Sequence, residues 1–169
     1  TPNSKSTASG WLNRAVGLTG HEATPFSAVS LTAALPRSLQ GDHDALAINN
    51  LEEFVIQMRG NPLAGNMAAN SFEQLYDQTS NQLLKQSGKE SFEAMKMLDL
   101  KLVKNYTPAP GAVYPNSPLG KSLKQIAMTV KMNIGMEIAF AESGGWDTHF
   151  NQGTTNGSFA RNLKDFSDS

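Results

Sequence analysis

Asp147 and His149 are the residues of this sequence whose types and spacing most directly suggest chemistry. They stand two positions apart in a Gly-Gly-Trp-Asp-Thr-His segment at 144–149. In an extended chain, residues i and i+2 point to the same side, so a carboxylate oxygen and an imidazole nitrogen can converge on one ion. Such a pair suits zinc, manganese or iron. We therefore expect a divalent metal ion as cofactor, with zinc, manganese and calcium as the ions to test.

The residues around this pair have types that support a metal site. Gly144 and Gly145 allow a sharp turn and a close approach of the backbone to a ligand. Trp146 is expected to wall the site and lower its local dielectric constant, which strengthens metal binding. Thr148 and Gln152 are expected to contact and orient the ligands. No nucleophile can be assigned from the sequence.

Two simpler explanations stay open for the histidine-containing segments. The Asp-x-His pair is also typical of a loop with an Asp turn and a hydrogen-bonded histidine. Asp42-His43-Asp44 has the groups to bind a cation, but an exposed acidic turn beside a helix explains it more simply. His21 lies in a polar stretch, and no sequence signal brings it or His43 to the end of a sheet.

The elements that must position Asp147 and His149 are a helix and a strand. Ser117 and Pro118 are typical of an N-cap and a first helical turn. An apolar stripe at helical spacing follows, formed by Leu119, Leu123, Ile126, Ala127, Val130 and Ile134. After Gly135, the short apolar segment 136–141 is predicted to be a buried strand. A helix that feeds a strand is half of a βαβ unit, and open α/β sheets place their sites at the carboxyl ends of such strands.

The rest of the chain is predicted to contain helices and loops within one domain. Residues 10–16 suit a short helix, residues 26–35 a strand or extended segment, and the Pro-rich stretch 107–111 a loop. These expectations divide the chain into five parts. Residues 1–49 contain a short helix and extended segments, 50–105 form a helical insertion, and 106–117 form a Pro-rich loop. Residues 118–153 hold the helix, the strand and the Asp-x-His loop, and 154–169 form a polar tail or the start of a helix.

The helical insertion carries its own start and stop signals. Asn50 is predicted to cap a helix, with Glu53 reaching back to it. A similar signal at Ser71 opens an amphipathic helix that Gly88 is expected to end. Apolar spacing over 92–102 predicts a further helix.

Composition excludes several classes of function. The 169 residues include 14 basic and 15 acidic side chains with a net charge of −1, so nucleic acid is not an expected partner. No apolar run approaches the roughly 20 residues needed to span a bilayer. The absence of Cys excludes disulfides, thiolate zinc sites and cysteine nucleophiles. The chain opens without an initiator Met or an apolar signal segment, which is typical of a processed or truncated product.

Several segments occur in an order that resembles the domain-of-unknown-function 1501 family of exported bacterial proteins. They are Gly10-Trp11-Leu12-Asn13-Arg14, the segment from Pro25 to Ser30 followed by Leu35-Pro36, the helix over 118–130, and residues 144–149 followed by Gln152. That family is similar to the alkaline phosphatase and sulfatase superfamily and typically carries a twin-arginine export signal. The resemblance implies part of an alkaline-phosphatase-like α/β/α sandwich, largely helical with few strands, in a periplasmic or extracellular protein.

The same resemblance places Asp147 and His149 on an Asp-x-His metal-ligand motif of the family. It implies a metal-dependent hydrolase-like protein whose substrate is a small anionic phosphate or sulfate ester. The alternative is an exported binding or surface-assembly protein that keeps the fold without catalysis.

The chain by itself is expected to be inactive. The family's Gly-Gly-Asn-Asp, Ser-His-Phe, Ser-Glu-Phe-Gly-Arg and Thr-Asp-His-Gly motifs do not occur in this sequence. A catalytic ion commonly takes three protein ligands, and the strand predicted after the helix needs partner strands. Both are expected from the remainder of the parent chain.

Overall fold

The computed structural model describes residues 9–18, 20–59, 88–90, 93–94, 96–98 and 100–169. Their helices are α1 (Trp11–Val16), α2 (Leu51–Arg59), α3 (Leu100–Asn105), α4 (Pro118–Met132) and α5 (Ser158–Asp168), with a short 3-10 helix at Arg37–Leu39. Their strands are β1 (Ala28–Ser30), β2 (Leu46–Ala47) and β3 (Ile138–Phe140). Further helical residues lie between 88 and 97. This mixture of helices and a small parallel sheet is compatible with the α/β class.

The three strands form one parallel sheet in the order β2-β1-β3. Val29 in the central strand pairs with Leu46 on one side and with Ala139 on the other. Because all strands run in the same direction, their carboxyl ends share one edge and their amino ends share the other. We call these the carboxyl edge, where Ser30 and Phe140 end their strands, and the amino edge, where Ser27 and Glu137 precede theirs.

The prediction that β3 is buried is wrong. Ala139 is exposed, and its neighbours Ile138 and Phe140 are only partly buried. The reason is sheet order: β1 pairs on both sides and is fully buried, whereas β3 pairs with β1 alone among the described strands. The expectation that β3 must find its partner outside this chain is also wrong, since β1 supplies it.

Local signals around α4 act as the sequence predicts. The Ser117 hydroxyl accepts a hydrogen bond of 3.0 Å from the amide of Gly120 and caps the helix. The helix ends at Asn133, whose φ of 52° is left-handed. Gly135 then turns the chain toward β3 with φ of 81°, and a Cβ there would lie 2.8 Å from Cγ2 of Thr24. Only glycine satisfies both constraints without strain.

The predicted helical insertion is described in part. The Asn50 side chain caps α2 by accepting hydrogen bonds from the amides of Glu52 at 2.9 Å and Glu53 at 3.2 Å. The helix predicted after Ser71 falls almost wholly on 60–87, outside the described residues. Gly88, its expected end, is itself helical and buried. Leu98 is not helical, so the helix predicted over 92–102 is interrupted before α3.

Two apolar clusters cover the two faces of the sheet. Successive residues of a strand point to opposite faces, and accordingly Val29 belongs to one cluster and Ala28 to the other. The larger cluster packs α2, α3 and α4 on the Val29 face and includes Phe26, Leu31, Ile48, Leu51, Val55, Val103 and Met128. The smaller one joins Ala28 to Val16 of α1 and to Leu39. Among the described residues, no helix has the length and apolar character needed to cross a bilayer.

Candidate metal centre

The predicted pair lies side by side in the loop beyond the carboxyl edge. Nδ1 of His149 is in direct contact with Oδ1 of Asp147. Thr148, between them, is buried with 9% of its surface exposed. Asp147 and His149 therefore point outward together while Thr148 points inward, as the spacing predicts.

The backbone that produces this convergence is a turn and not an extended chain. The amide of Thr148 donates to the carbonyl of Trp146 at 3.0 Å, and the amide of Asn151 donates to the carbonyl of Thr148 at 3.0 Å. The turn brings the side chains of Asp147 and His149 into contact. On an extended strand, two side chains at positions i and i+2 would lie farther apart. The expected proximity is confirmed, and the extended geometry from which it was predicted is wrong.

Helix α5 holds this loop in place. The Trp146 ring lies edge-on to Phe159 and Phe166 of α5, with centroid distances of 6.1 Å to each, and its Nε1 donates to Oγ of Ser143 at 3.0 Å. The Asn162 side chain donates from Nδ2 to the carbonyl of Gly145. The observed contacts of Trp146 thus anchor the loop to α5.

Gln152, expected to orient the ligands, is exposed at the end of the same loop. Its backbone carbonyl accepts a hydrogen bond of 3.4 Å from the amide of Phe159, the second residue of α5. This contact ties the end of the loop to the start of the helix. Asn162 has a similar tethering role that sequence analysis did not find, because a lone Asn within an amphipathic helix carries no local signal.

The exposure of the pair decides how a metal would be held. The side chains of Asp147 and His149 are 81% and 82% exposed, so solvent screens their interaction. The described residues include no group of three or more His, Asp or Glu side chains arranged to hold a metal ion. A carboxylate and an imidazole are ligand types for a divalent ion, and here their Oδ1 and Nδ1 atoms contact each other directly. The same contact also satisfies the alternative of a hydrogen-bonded histidine in a turn.

The amino edge holds a group of titratable residues that sequence analysis did not connect. His21, His43, Asp42, Asp44 and Glu137 line one cavity there. The sequence contained part of the signal, since Asp44 and Glu137 both come shortly before strands that prove to be parallel. The missing part was the pairing of the strands, which brings residues far apart in sequence to a common edge.

Comparison of the chain with protein-family models, with curated proteins and with solved structures found no match in any of the three.

Proposed function

We propose that this chain is part of a metal-dependent hydrolase-like protein of the alkaline phosphatase and sulfatase type, and that Asp147 and His149 bind a divalent metal ion. The observation that carries the proposal is the convergence of a carboxylate and an imidazole in the loop beyond the carboxyl edge of a parallel sheet. The resemblance of the Gly-Gly-Trp-Asp-Thr-His segment to the domain-of-unknown-function 1501 family supplies the reaction class and a periplasmic or extracellular location.

The two side chains contribute different properties to such a site. His149 offers a neutral nitrogen and Asp147 a negative charge, a combination that suits zinc or manganese and is open to calcium. A bound ion would supply positive charge that polarises a phosphate or sulfate ester. Thr148 and the contacts of Trp146 with α5 fix the turn that presents both ligands.

Two ligands are fewer than a catalytic ion commonly needs. A zinc enzyme typically uses three protein ligands and keeps one open position. Under this proposal the remaining ligand comes from outside the described residues, because those residues include no group of three arranged to hold a metal ion. Metal binding and turnover are therefore separate parts of the proposal. The pair supports metal binding, whereas turnover needs further groups.

Metal binding is tested by calorimetric titration of zinc, manganese and calcium into the protein and three variants. His149→Ala should abolish binding of the ion, and Asp147→Asn should weaken it by about tenfold or more. Glu142→Gln is the matched control, because Glu142 is an exposed acid of the same loop, and it should bind as the wild type does. Acidification should release the ion, since imidazole must be neutral to ligate. Equal binding by all four proteins rejects the site.

Hydrolysis is tested separately with aryl phosphate and aryl sulfate esters in the presence of each ion. We expect no turnover by this chain alone, because it supplies too few ligands and no assigned nucleophile. Turnover that disappears in Asp147→Ala would show a complete catalyst and contradict that expectation.

A second candidate is an exported binding or surface-assembly protein that retains the fold without turnover. The exposure of Asp147 and His149, at 81% and 82%, favours it, because reactive sites generally exclude water from the reacting groups. The parent sequence separates the two candidates. Further Asp-His and Asp-His-Gly motifs in it would favour the enzyme, and their loss would favour the binding protein.

A further inference from the structure

The contact between Asp147 and His149 uses one particular ring nitrogen. Oδ1 of Asp147 lies against Nδ1 of His149. An ionised carboxylate has no hydrogen to donate, so in the neutral imidazole Nδ1 carries the hydrogen and donates it to Oδ1. The tautomer that this contact selects leaves Nε2 with a free lone pair. Nε2 is therefore the ring nitrogen that can take a ligand.

The spacing of the two contacting atoms decides where an ion can lie. In a tetrahedral zinc site the bonds to imidazole nitrogen and carboxylate oxygen are about 2.0–2.2 Å long, which keeps two ligand atoms roughly 3.3 Å apart. Oδ1 of Asp147 and Nδ1 of His149 are in direct contact, closer together than two such ligand atoms. An ion could enter between them only if this contact opened.

The Nε2 side of the ring is open to solvent. The His149 side chain is 82% exposed, and Nε2 points away from the Nδ1 contact across the five-membered ring. Within the part of the chain that the structure describes, Nδ1 is the ring nitrogen with a hydrogen-bond partner. An ion can therefore reach Nε2 while Asp147 and His149 stay in contact.

The loop backbone fixes where the two side chains begin. The amide of Thr148 donates to the carbonyl of Trp146 around Asp147, and the amide of Asn151 donates to the carbonyl of Thr148 around His149. These bonds do not fix the rotation of the imidazole about its own side-chain bonds. The hydrogen bond to Asp147 does. In metal sites, a carboxylate that holds the second nitrogen of a ligating histidine orients the ring and raises its basicity.

We propose that the two residues act in series: Nε2 of His149 contacts the divalent ion, and Asp147 is a positioning residue that orients the ring through Nδ1. This inference rests on the proposed function and assigns the atom that contacts the ion. Both residues then contribute to binding, but Asp147 does so through His149. The other ligands are water or groups outside the described residues, among which no three are arranged to hold a metal ion.

The test is a titration of Zn²⁺ into protein with isotope-labelled histidine, followed by long-range proton–nitrogen NMR of the rings at a pH where they are neutral. His149→Ala identifies the signals of His149 among those of His21 and His43. Before Zn²⁺ is added, we expect the His149 ring to carry its hydrogen on Nδ1. Zn²⁺ should shift the Nε2 signal and leave the hydrogen on Nδ1. A shift of Nδ1 with loss of its hydrogen overturns the inference, while the proposed metal binding stands.

Substitutions of Asp147 give a second measurement. Asp147→Asn keeps an oxygen that can accept from Nδ1, whereas Asp147→Ala removes the acceptor. We expect the affinity for Zn²⁺ to fall about tenfold in Asp147→Asn, the lower end of the usual range because the pair is exposed, and further in Asp147→Ala. Glu142→Gln is the matched control: it removes an exposed negative charge nearby and should stay within about twofold of the wild type.

The variants also separate the two ways in which the proposals can fail. Asp147→Ala should move the hydrogen of the free His149 ring from Nδ1 towards Nε2. Equal losses of affinity in Asp147→Asn and Asp147→Ala, or an unchanged tautomer in Asp147→Ala, overturn the inference alone. Absence of any change in the His149 signals at millimolar Zn²⁺ overturns the inference together with the proposed function.

Discussion

The two edges of the sheet present their polar groups in opposite ways. At the carboxyl edge, Asp147 and His149 contact each other while remaining 81% and 82% exposed. At the amino edge, Glu137 is 14% exposed and keeps a buried oxygen without a partner among the described residues. Water screens the first pair and compensates its charges, whereas the carboxylate of Glu137 is largely removed from water. The pair that the sequence motif indicates is therefore the more exposed of the two polar groups.

The two sites also differ in how they are held. The carboxyl-edge loop is tethered from outside by α5, through the Trp146 ring and the Asn162 amide. The amino-edge cavity is fixed from inside by the buried Asn13 and by the backbone hydrogen bond from Glu137 to Ser27. Substitutions should distinguish the contacts that hold the two edges. Each substitution below changes the carboxyl edge, the amino edge or the sheet that joins them.

The largest effect is expected from Phe26→Ala, which removes a fully buried ring beside β1. Loss of the ring should lower the free energy of unfolding by about 3–5 kcal/mol and disturb both edges together. Urea denaturation measures it. Phe150→Ala is the control, since Phe150 is 96% exposed, and should change stability by less than about 0.5 kcal/mol. Similar losses in both variants would show that the core is wrongly placed.

Asn13→Ala should act on the amino edge. It removes donors to the carbonyls of Leu39 and His43 and leaves these groups unsatisfied, at a cost of about 2–3 kcal/mol. Metal binding by Asp147 and His149, at the opposite ends of the strands, should stay as in the wild type. Asn116→Ala, at an exposed position, is the matched control. Weaker metal binding by Asn13→Ala than by Asn116→Ala would show that the edges are coupled.

Gly135→Ala should strain the junction between α4 and β3. The left-handed φ of 81° and the 2.8 Å approach to Thr24 Cγ2 predict a loss of about 1–2 kcal/mol. Chemical denaturation measures the free energy of unfolding of Gly135→Ala and of the control Gly144→Ala, where an added Cβ meets no described atom within 4 Å. A larger loss of stability in Gly144→Ala than in Gly135→Ala would contradict the strain expected at the junction.

Asn162→Ala should have the smallest effect, about 0.5–1 kcal/mol, because its hydrogen bond to Gly145 is exposed. Hydrogen exchange should quicken at the amides of 145–149 and stay unchanged at those of 27–30. Asn156→Ala, at an exposed asparagine, should leave hydrogen exchange in both segments unchanged. Faster exchange in 27–30 would mean that α5 supports the sheet as well as the loop.

The sequence by itself determined the elements whose signals are local. The cap at Ser117, the apolar stripe of α4 and the glycine at 135 predict a helix, its start and its junction with a strand, since each depends on residues within a few positions. The spacing of Asp147 and His149 predicted their proximity, but a turn replaces the extended backbone from which it was predicted. The metal role of the pair stays a prediction.

Only the tertiary structure decided which strand is central and which residues share a cavity. The apolar content of 136–141 does not distinguish a central strand from an edge strand, because that depends on pairing with β1, more than a hundred residues earlier. His21 and Glu137 are 116 positions apart, and their contact exists only because β1 and β3 align their amino ends. Local sequence fixes backbone conformation over a few residues, whereas burial and the assembly of charges depend on the long-range contacts that close the core.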